Sequence, residues 1–429
     1  MLISAPRAAA SAARRLTVTF YLYAFLDDFV LLYPVYALLF TDTGLSVAEI
    51  SSLFVIWSLT GILLEVPSGV WADMVSRRLL LAGAPLLGAV GFGLWVAAPS
   101  YWVFALGFVL WGARSSLQSG ASEALVYEEL DRLGLADRYG RVIGRASTLG
   151  LLGALLATAV AAPVFATGGY PAVGVASVLG SLLCAAVGLA LPEQRIREAG
   201  TVPAEQTGDD DRSGDDDRSG PSGYLSILRA GLAEARTDRS VRRALLFLPA
   251  MAAIWGALEE YVSLLAGDVA APSTVPLLVL LVWIGVMLGG LLTPIGQRLS
   301  TGRFAATIAF AAVVLAAGAL SGRAGGFVLI AVAFCALQMA SLVADVRLQE
   351  SITGPTRATV TSLAGLGTDV VTIGVYGGYA VASVVAGHGV IFALFTVPYL
   401  VIAFGVRRIG RTGPDRPVPE RAEPTVTVS

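Results

Sequence analysis

Apolar residues in this chain come in long blocks, not in alternation. Breaks at Gly, Pro and charged residues divide them into twelve runs, at about 17–40, 47–71, 79–98, 101–126, 142–164, 171–191, 243–267, 275–297, 303–321, 325–347, 358–384 and 388–406. Most are near the roughly 20 residues that cross a bilayer as a helix. They lack the period-2 alternation of a membrane barrel. In lipid, backbone polar groups must be bonded within their own segment, so the runs predict helices. The pattern describes an all-α polytopic membrane protein with twelve transmembrane helices. Between the sixth and seventh runs lies a polar stretch, 193–240, with DDDRSG at 209–214 repeated at 215–220. Such a segment cannot bury a core and reads as a solvated acidic linker. Where it ends, Leu225, Leu228 and Leu232 alternate with charged residues over 224–243, a pattern suited to a short helix lying on the membrane surface. The organisation expected is a six-helix half over 1–192, a cytoplasmic linker over 193–240, and a second six-helix half with a tail over 241–429.

Composition supports a lipid solvent. Hydrophobic residues make up 56% of the chain and charged residues 14%, with a mean hydropathy of +0.75. A soluble domain carries about 25% charged residues; this chain has too few to coat a soluble surface of its size. The net charge of −2 gives no basic bias toward nucleic acid. Every basic residue is Arg, and no Lys exists to complete a G-x-x-x-x-G-K-[ST] phosphate loop, so direct ATP-driven pumping is not expected. Cys184 and Cys335 sit inside apolar runs and the single histidine, His388, sits in a Gly-flanked turn. Neither a metal nor a cofactor is expected from them, nor is an enzyme, since no Ser/His, Cys/His or metal cluster falls at catalytic spacing.

Arg placement sets the orientation. Arg7, Arg14 and Arg15, then Arg77 and Arg78, then Arg132, Arg138, Arg141 and Arg145 fall on one side, together with the linker, Arg298, Arg303, Arg357 and the tail. Loops 41–46, 98–101, 165–170, 268–274 and 385–388 carry no Arg, and Arg323 alone breaks the rule. Both termini are therefore expected in the cytoplasm, with the protein in the plasma membrane. Leu16 onward reads as a first span and not as a cleaved signal peptide, because another span follows it.

The two halves echo each other. FLDDFVLL at 25–32 parallels ALEEYVSL at 257–264, and RVIGRASTLG at 141–150 parallels RATVTSLAGLG at 357–367. Each echo falls at matching span positions, as in a transporter built from paired repeats.

Between the second and third runs stands Gly69-Val-Trp-Ala-Asp73-Met-Val-Ser-Arg77-Arg78. This resembles the signature of the major facilitator superfamily: a Gly, an Asp four residues later, and a basic pair after a short turn. Ser76 replaces the family's Gly before the basic pair, and Met74 its basic residue after the Asp. The matching turn of the second half, Pro294 to Arg303, keeps Gly and Arg but has no Asp. The resemblance implies two pseudo-symmetric six-helix halves around a central cavity lined by spans one, four, seven and ten. It also implies a cytoplasmic charge latch, here Gly69, Asp73, Arg77 and Arg78 with Glu128 and Glu129 at the end of span four. A carboxylate there can pair with Arg or face a helix N-terminus across the boundary between halves.

Charge inside a span costs about 2.5–3.5 kcal/mol on insertion scales and marks function by default. Asp27 and Asp28 fall near the middle of span one, Arg114 and the lower Glu123 on span four, Glu259 and Glu260 on span seven, and Asp369 on span eleven. Adjacent helical residues point about 100° apart, so one of Asp27 and Asp28 is expected to face the cavity. Carboxylates and one Arg at this depth suit a proton-coupled site for a small-molecule substrate. Tyr23, Tyr33, Trp111 and Trp255 are candidate stacking surfaces. Arg114-Ser-Ser-Leu-Gln118-Ser-Gly120 is similar in part to the span-four motif of proton-coupled exporters, but the exporters' span-five Gly-Pro-Gly-Gly is missing. The expected function is secondary transport by alternating access, with a proton as coupling ion and export of a small organic molecule by a monomer. The alternatives are uptake of a polar metabolite and a non-transporting receptor or scaffold on the same fold.

Overall fold

The computed structural model describes residues 5–193, 239–351 and 357–412. The linker, its surface helix and most of the tail lie outside them. The described residues are all helix and turn. The helices are α1 (Ala5–Asp27), α2 (Tyr36–Asp42), α3 (Val47–Met74), α4 (Arg77–Ala97), α5 (Tyr101–Arg132) and α6 (Tyr139–Leu189), followed by α7 (Arg239–Glu259), α8 (Val262–Gly267), α9 (Val275–Leu291), α10 (Thr293–Gln297), α11 (Thr301–Leu320), α12 (Gly326–Ser351), α13 (Arg357–Ala382), α14 (His388–Leu394) and α15 (Val397–Thr412). Each of the twelve apolar runs overlaps one or two of these helices. Among the described residues, six helices are long and apolar enough on their own to cross a membrane.

Local chemistry sets the boundaries. Ser46 and Glu49 form a reciprocal capping box that opens α3: the Ser46 amide donates to Glu49 at 2.8 Å, and the Glu49 amide donates to the Ser46 hydroxyl at 3.2 Å. Ser76 caps α4 by accepting from the Leu79 amide, and Ser300 caps α11 by accepting from the Arg303 amide. These are equivalent positions of the two halves, so both halves start their third span with the same device. Two runs of the sequence fuse into α6 and part only at Gly169, whose φ of 58° turns the chain where a side chain would be strained.

One expectation changes. Spans one, seven, eight and twelve are not continuous rods; the eighth is interrupted at Leu292 and the twelfth between Leu394 and Val397. The first breaks between Asp27 and Tyr36, and the seventh between Glu259 and Val262. The breaks in spans one and seven fall on the acidic pair of each half.

Packing follows the chain in two sets. In the first, α1 lies against α6, and α4 lies against α5 and α6, while α3 lies against α5. In the second, α12 lies against α9, α11 and α7, and α13 against α7. The sets meet where α3 touches α13, where α6 touches α9, and where the short α2 touches α8. Glycines permit the closest approaches: a methyl group on Gly153 would strike the backbone of Phe25, and one on Gly285 the backbone of Ala331.

Candidate functional site

The breaks in spans one and seven place the acidic pairs side by side in space. Asp27 ends α1 and Glu259 ends α7. A helix C-terminus carries the negative end of the backbone dipole, a poor setting for an anion, so each pair needs a proton, a cation or an Arg.

Asp27 has the Arg. The Arg114 Nη2 donates to both Asp27 Oδ1 and the Asp27 backbone carbonyl, each at 2.6 Å. Gln118 Nε2 donates to Asp27 Oδ1 at 2.7 Å and to the Tyr23 hydroxyl at 2.8 Å, and Tyr23 in turn donates to the Leu81 carbonyl. Gln118 lies one helical turn from Arg114, so both reach the same carboxylate. Arg114 is 2% exposed, and a methyl group on Gly88 would come within 2.9 Å of its Nη1. The pair fixes α1 to α5, and Arg114 Nη1 stays buried with no hydrogen-bond partner among the described residues.

Asp28 points elsewhere. It lines a cavity of about 270 Å³ with Tyr33, Tyr36, Trp111, Glu259, Glu260, Ser263 and Trp283. The sequence left open which of the two aspartates faces the cavity; here it is Asp28. Its Oδ2 sits where a side chain on Gly150 would collide with it. Glu260 accepts from the Tyr36 hydroxyl, a contact between α2 and the break in span seven. The Asp28 and Glu259 carboxylates have no hydrogen bond or ion pair among the described residues. Tyr33 and Trp111 stack at 5.1 Å with planes 5° apart.

Glu260 also lines a second cavity of about 330 Å³, with Glu65, Asp369, Trp57, Ser115 and Tyr376. Asp369 thus joins the site beside Glu65, a carboxylate inside the second apolar run. At the Arg-poor end the cavities are shut. Ser51 on α3 hydrogen-bonds the Tyr261 hydroxyl at 2.7 Å, Tyr261 stacks on Tyr379 at 3.6 Å, and Phe54 meets Tyr261 and Tyr376 edge-on or tilted at 5.3 Å.

Not every candidate converges here. Glu123 is exposed, away from either cavity. Trp255 is packed, its indole donating to Ser341 at 3.0 Å. At the Arg-rich end, Arg77 pairs with Glu128, and Arg132 with Glu129 at 2.6 Å. The turn before α4 has a further partner: Glu193 accepts from the Ser76 hydroxyl and, at 2.8 Å, from the Arg77 amide. Arg78 is half-buried beside them, with no partner for its Nε among the described residues. The surroundings of Gly69 and Asp73 on α3 lie outside the described residues.

These features define a multi-pass helical membrane protein with charged groups gathered between two sets of spans. The family model of the Major Facilitator Superfamily matches residues 18–387, and the chain belongs to that superfamily. No curated protein matches the sequence. Solved structures share the fold. A bacterial homolog of the human lysosomal transporter Spinster, in an inward-facing and unoccupied conformation, is 14% identical over 94% of this chain and 96% of its own, with a TM-score of 0.67. The nucleoside transporter NupG is 14% identical over 94% of this chain and 99% of its own, with a TM-score of 0.66. A D-xylose-proton symporter is 14% identical over 92% and 96%, with a TM-score of 0.61.

Proposed function

We propose that this chain is a secondary transporter working by alternating access, which exports a small organic molecule in exchange for protons. The observation that carries the reading is the cavity between the two halves, where the Asp28 and Glu259 carboxylates have no partner among the described residues and Glu260 is held by Tyr36. The halves are taken as residues 1–192 and 241–429, with the linker between them on the cytoplasmic side. The Arg-poor end then faces outward and both termini face the cytoplasm of a plasma-membrane monomer.

Coupling follows from the contacts. With Glu260 ionised, its charge-assisted bond to Tyr36 holds α2 against span seven and helps keep the outer end shut. A proton from outside neutralises Glu260 and weakens that bond. It also lowers the cost of carrying the carboxylate through the apolar occluded state. Glu259 and Asp28 give the proton two neighbouring positions, and Asp369 with Glu65 gives it two more toward the cytoplasm. Asp27 and Arg114, already paired, act as the fixed wall. In the opposite state the latch of Gly69, Asp73, Arg77, Arg78, Glu128 and Glu129 closes the cytoplasmic end through contacts across the boundary between halves, with the Arg77–Glu128 pair, already made within the first half, kept in both states. Asp73→Asn therefore shifts the population toward the inward-open state, read by accessibility labelling of single cysteines.

The test is flux in proteoliposomes under an imposed pH gradient. Gradient-driven substrate movement, lost in Glu260→Gln and in Asp28→Asn while membrane insertion is kept, supports the reading. Pumping that persists unchanged in both variants removes these residues from the coupling. Ligand binding with no flux under any gradient would leave a receptor and sink the transport reading.

A further inference from the structure

The charge lining the cavity identifies what it holds. Three carboxylates, Asp28, Glu259 and Glu260, border it, and no Arg or His is among its lining residues. Arg114 is not part of that lining: its Nη2 is bonded to Asp27, and its Nη1 lies buried against Gly88 with no hydrogen-bond partner among the described residues. An anionic ligand would meet acidic groups alone. Four aromatic side chains, Tyr33, Tyr36, Trp111 and Trp283, make up much of the remaining wall. Trp111 is stacked on Tyr33 and flanked by Trp57 and Phe108, so its position in the wall is fixed. Aromatic faces attract cations, most strongly in desolvated sites. Ser263 adds a hydroxyl to this wall. Its side chain lines the cavity, the residue is 6% exposed, and it has no hydrogen-bond partner among the described residues.

A metal ion does not fit this wall. Among the described residues no three acidic, His or Cys groups converge closely enough to hold one, and indole and phenol faces offer no hard oxygen. Separated carboxylates with aromatic surface between them suit an extended cation whose charge and apolar body are recognised at different points. At about 270 Å³ the cavity lies just below the usual ligand-pocket range of about 300–1,000 Å³, so the molecule is small.

We infer that the substrate is a small organic cation, an ammonium or amidinium carried on an aromatic or apolar body. Its positive group sits among Asp28, Glu259 and Glu260, its body lies against Trp111, Tyr33 and Trp283, and Ser263 hydrogen-bonds it. The inference rests on the reading of this cavity as the transport site. Cation and protons then compete for the same carboxylates, which is the stoichiometric basis of exchange.

The experiment uses the purified full chain in detergent and three probes with one carbon skeleton: 3-phenylpropylammonium, 3-phenylpropan-1-ol and 3-phenylpropionate, with sodium chloride as a fourth arm. The cation is expected to raise the apparent melting temperature and quench tryptophan fluorescence, and the alcohol and the acid to do neither. Glu259→Gln is expected to weaken cation binding about tenfold or more, since the loss of a buried partner charge is rarely smaller. Asp28→Asn is expected to do the same, which keeps the test open should one variant fail to fold; Ser263→Ala is expected to weaken it by a few-fold. Equal or tighter binding of the alcohol or the acid overturns the inference, as does binding of none of the three at millimolar concentration, or a shift given by sodium alone. The same probes in proteoliposomes separate the two claims. Gradient-driven flux of the alcohol or acid alone refutes the cation and leaves transport standing, whereas cation binding without any flux keeps the site and refutes transport.

Discussion

Replacing Asp27 and replacing Asp28 are expected to give opposite results, although the two are adjacent and chemically identical. Asp27→Asn removes the charge facing Arg114 at 2.6 Å. At an effective dielectric of about 20 the gross attraction at that distance is about 6 kcal/mol. Removing one partner of a buried pair costs about 3–5 kcal/mol net, because the other charge stays behind. The Asp27 side chain is 22% exposed, which places it at the lower end, and the new amide oxygen still accepts a bond worth about 1 kcal/mol. The expected loss is about 2–3 kcal/mol. Asp28→Asn removes a carboxylate with no partner, so stability should hold or rise, since an unpaired charge no longer has to be kept in the membrane. The double variant Asp27→Asn/Arg114→Gln should be more stable than Asp27→Asn alone. The assay is the apparent melting temperature in detergent, followed by tryptophan fluorescence and by recovery on gel filtration after heating. Asp27→Asn matching the parent, or Asp28→Asn falling alongside it, refutes the division of labour between the two residues.

Other contacts make further predictions. Tyr261→Phe deletes the bond to Ser51 across the outer end, worth about 1 kcal/mol, and should raise labelling of single cysteines placed in the cavity by a membrane-impermeant reagent from outside; no change would mean that the stack of Tyr261 on Tyr379 suffices. Gly153→Ala puts a methyl group into the Phe25 backbone, and overpacking of this kind costs about 1–3 kcal/mol, so the variant should melt several degrees lower and Gly83→Ala, which meets open space, should not. Gly150→Ala would drive against Asp28 and should disturb proton-coupled flux more than stability, measured as initial rates against melting temperature. Glu193→Gln weakens the hold on Ser76 and the Arg77 amide and should speed proteolysis of the turn before α4, whereas an unchanged cleavage rate would assign the turn's rigidity to Glu128.

Most of the architecture was legible because lipid leaves so few options. Segment length and apolar content specify helices wherever water is absent, and the echo of FLDDFVLL in ALEEYVSL predicted the symmetry that places both acidic pairs at helix ends. What the pattern could not show was the breaks themselves. Pro34 hints at the first, but nothing between Gly256 and Gly267 marks the second; its hydropathy is that of an unbroken span. Which aspartate faced inward was equally hidden, because 100° of rotation is smaller than the uncertainty in where a helix ends. Arg114 was found by its charge, whereas Ser263, Tyr36 and Trp283 are ordinary residues for a membrane helix and acquire meaning only from the carboxylates brought next to them. Glu193 went unnoticed at the edge of the linker, where an acidic residue is unremarkable until its oxygens are seen on the Ser76 turn.

The pairing of Asp27 with Arg114 also bears on how the protein is made. The two are 87 residues apart. At about 5–20 residues per second of synthesis, the aspartate waits roughly 4–17 s for its arginine. During that time the first span offers the bilayer two carboxylates at its centre, an insertion cost of a few kcal/mol with nothing to offset it. The first span therefore cannot settle on its own into lipid. It has to linger at the translocon or at the headgroup boundary until α5 emerges, and the opening steps of biogenesis then depend on a helix three spans further down the nascent chain.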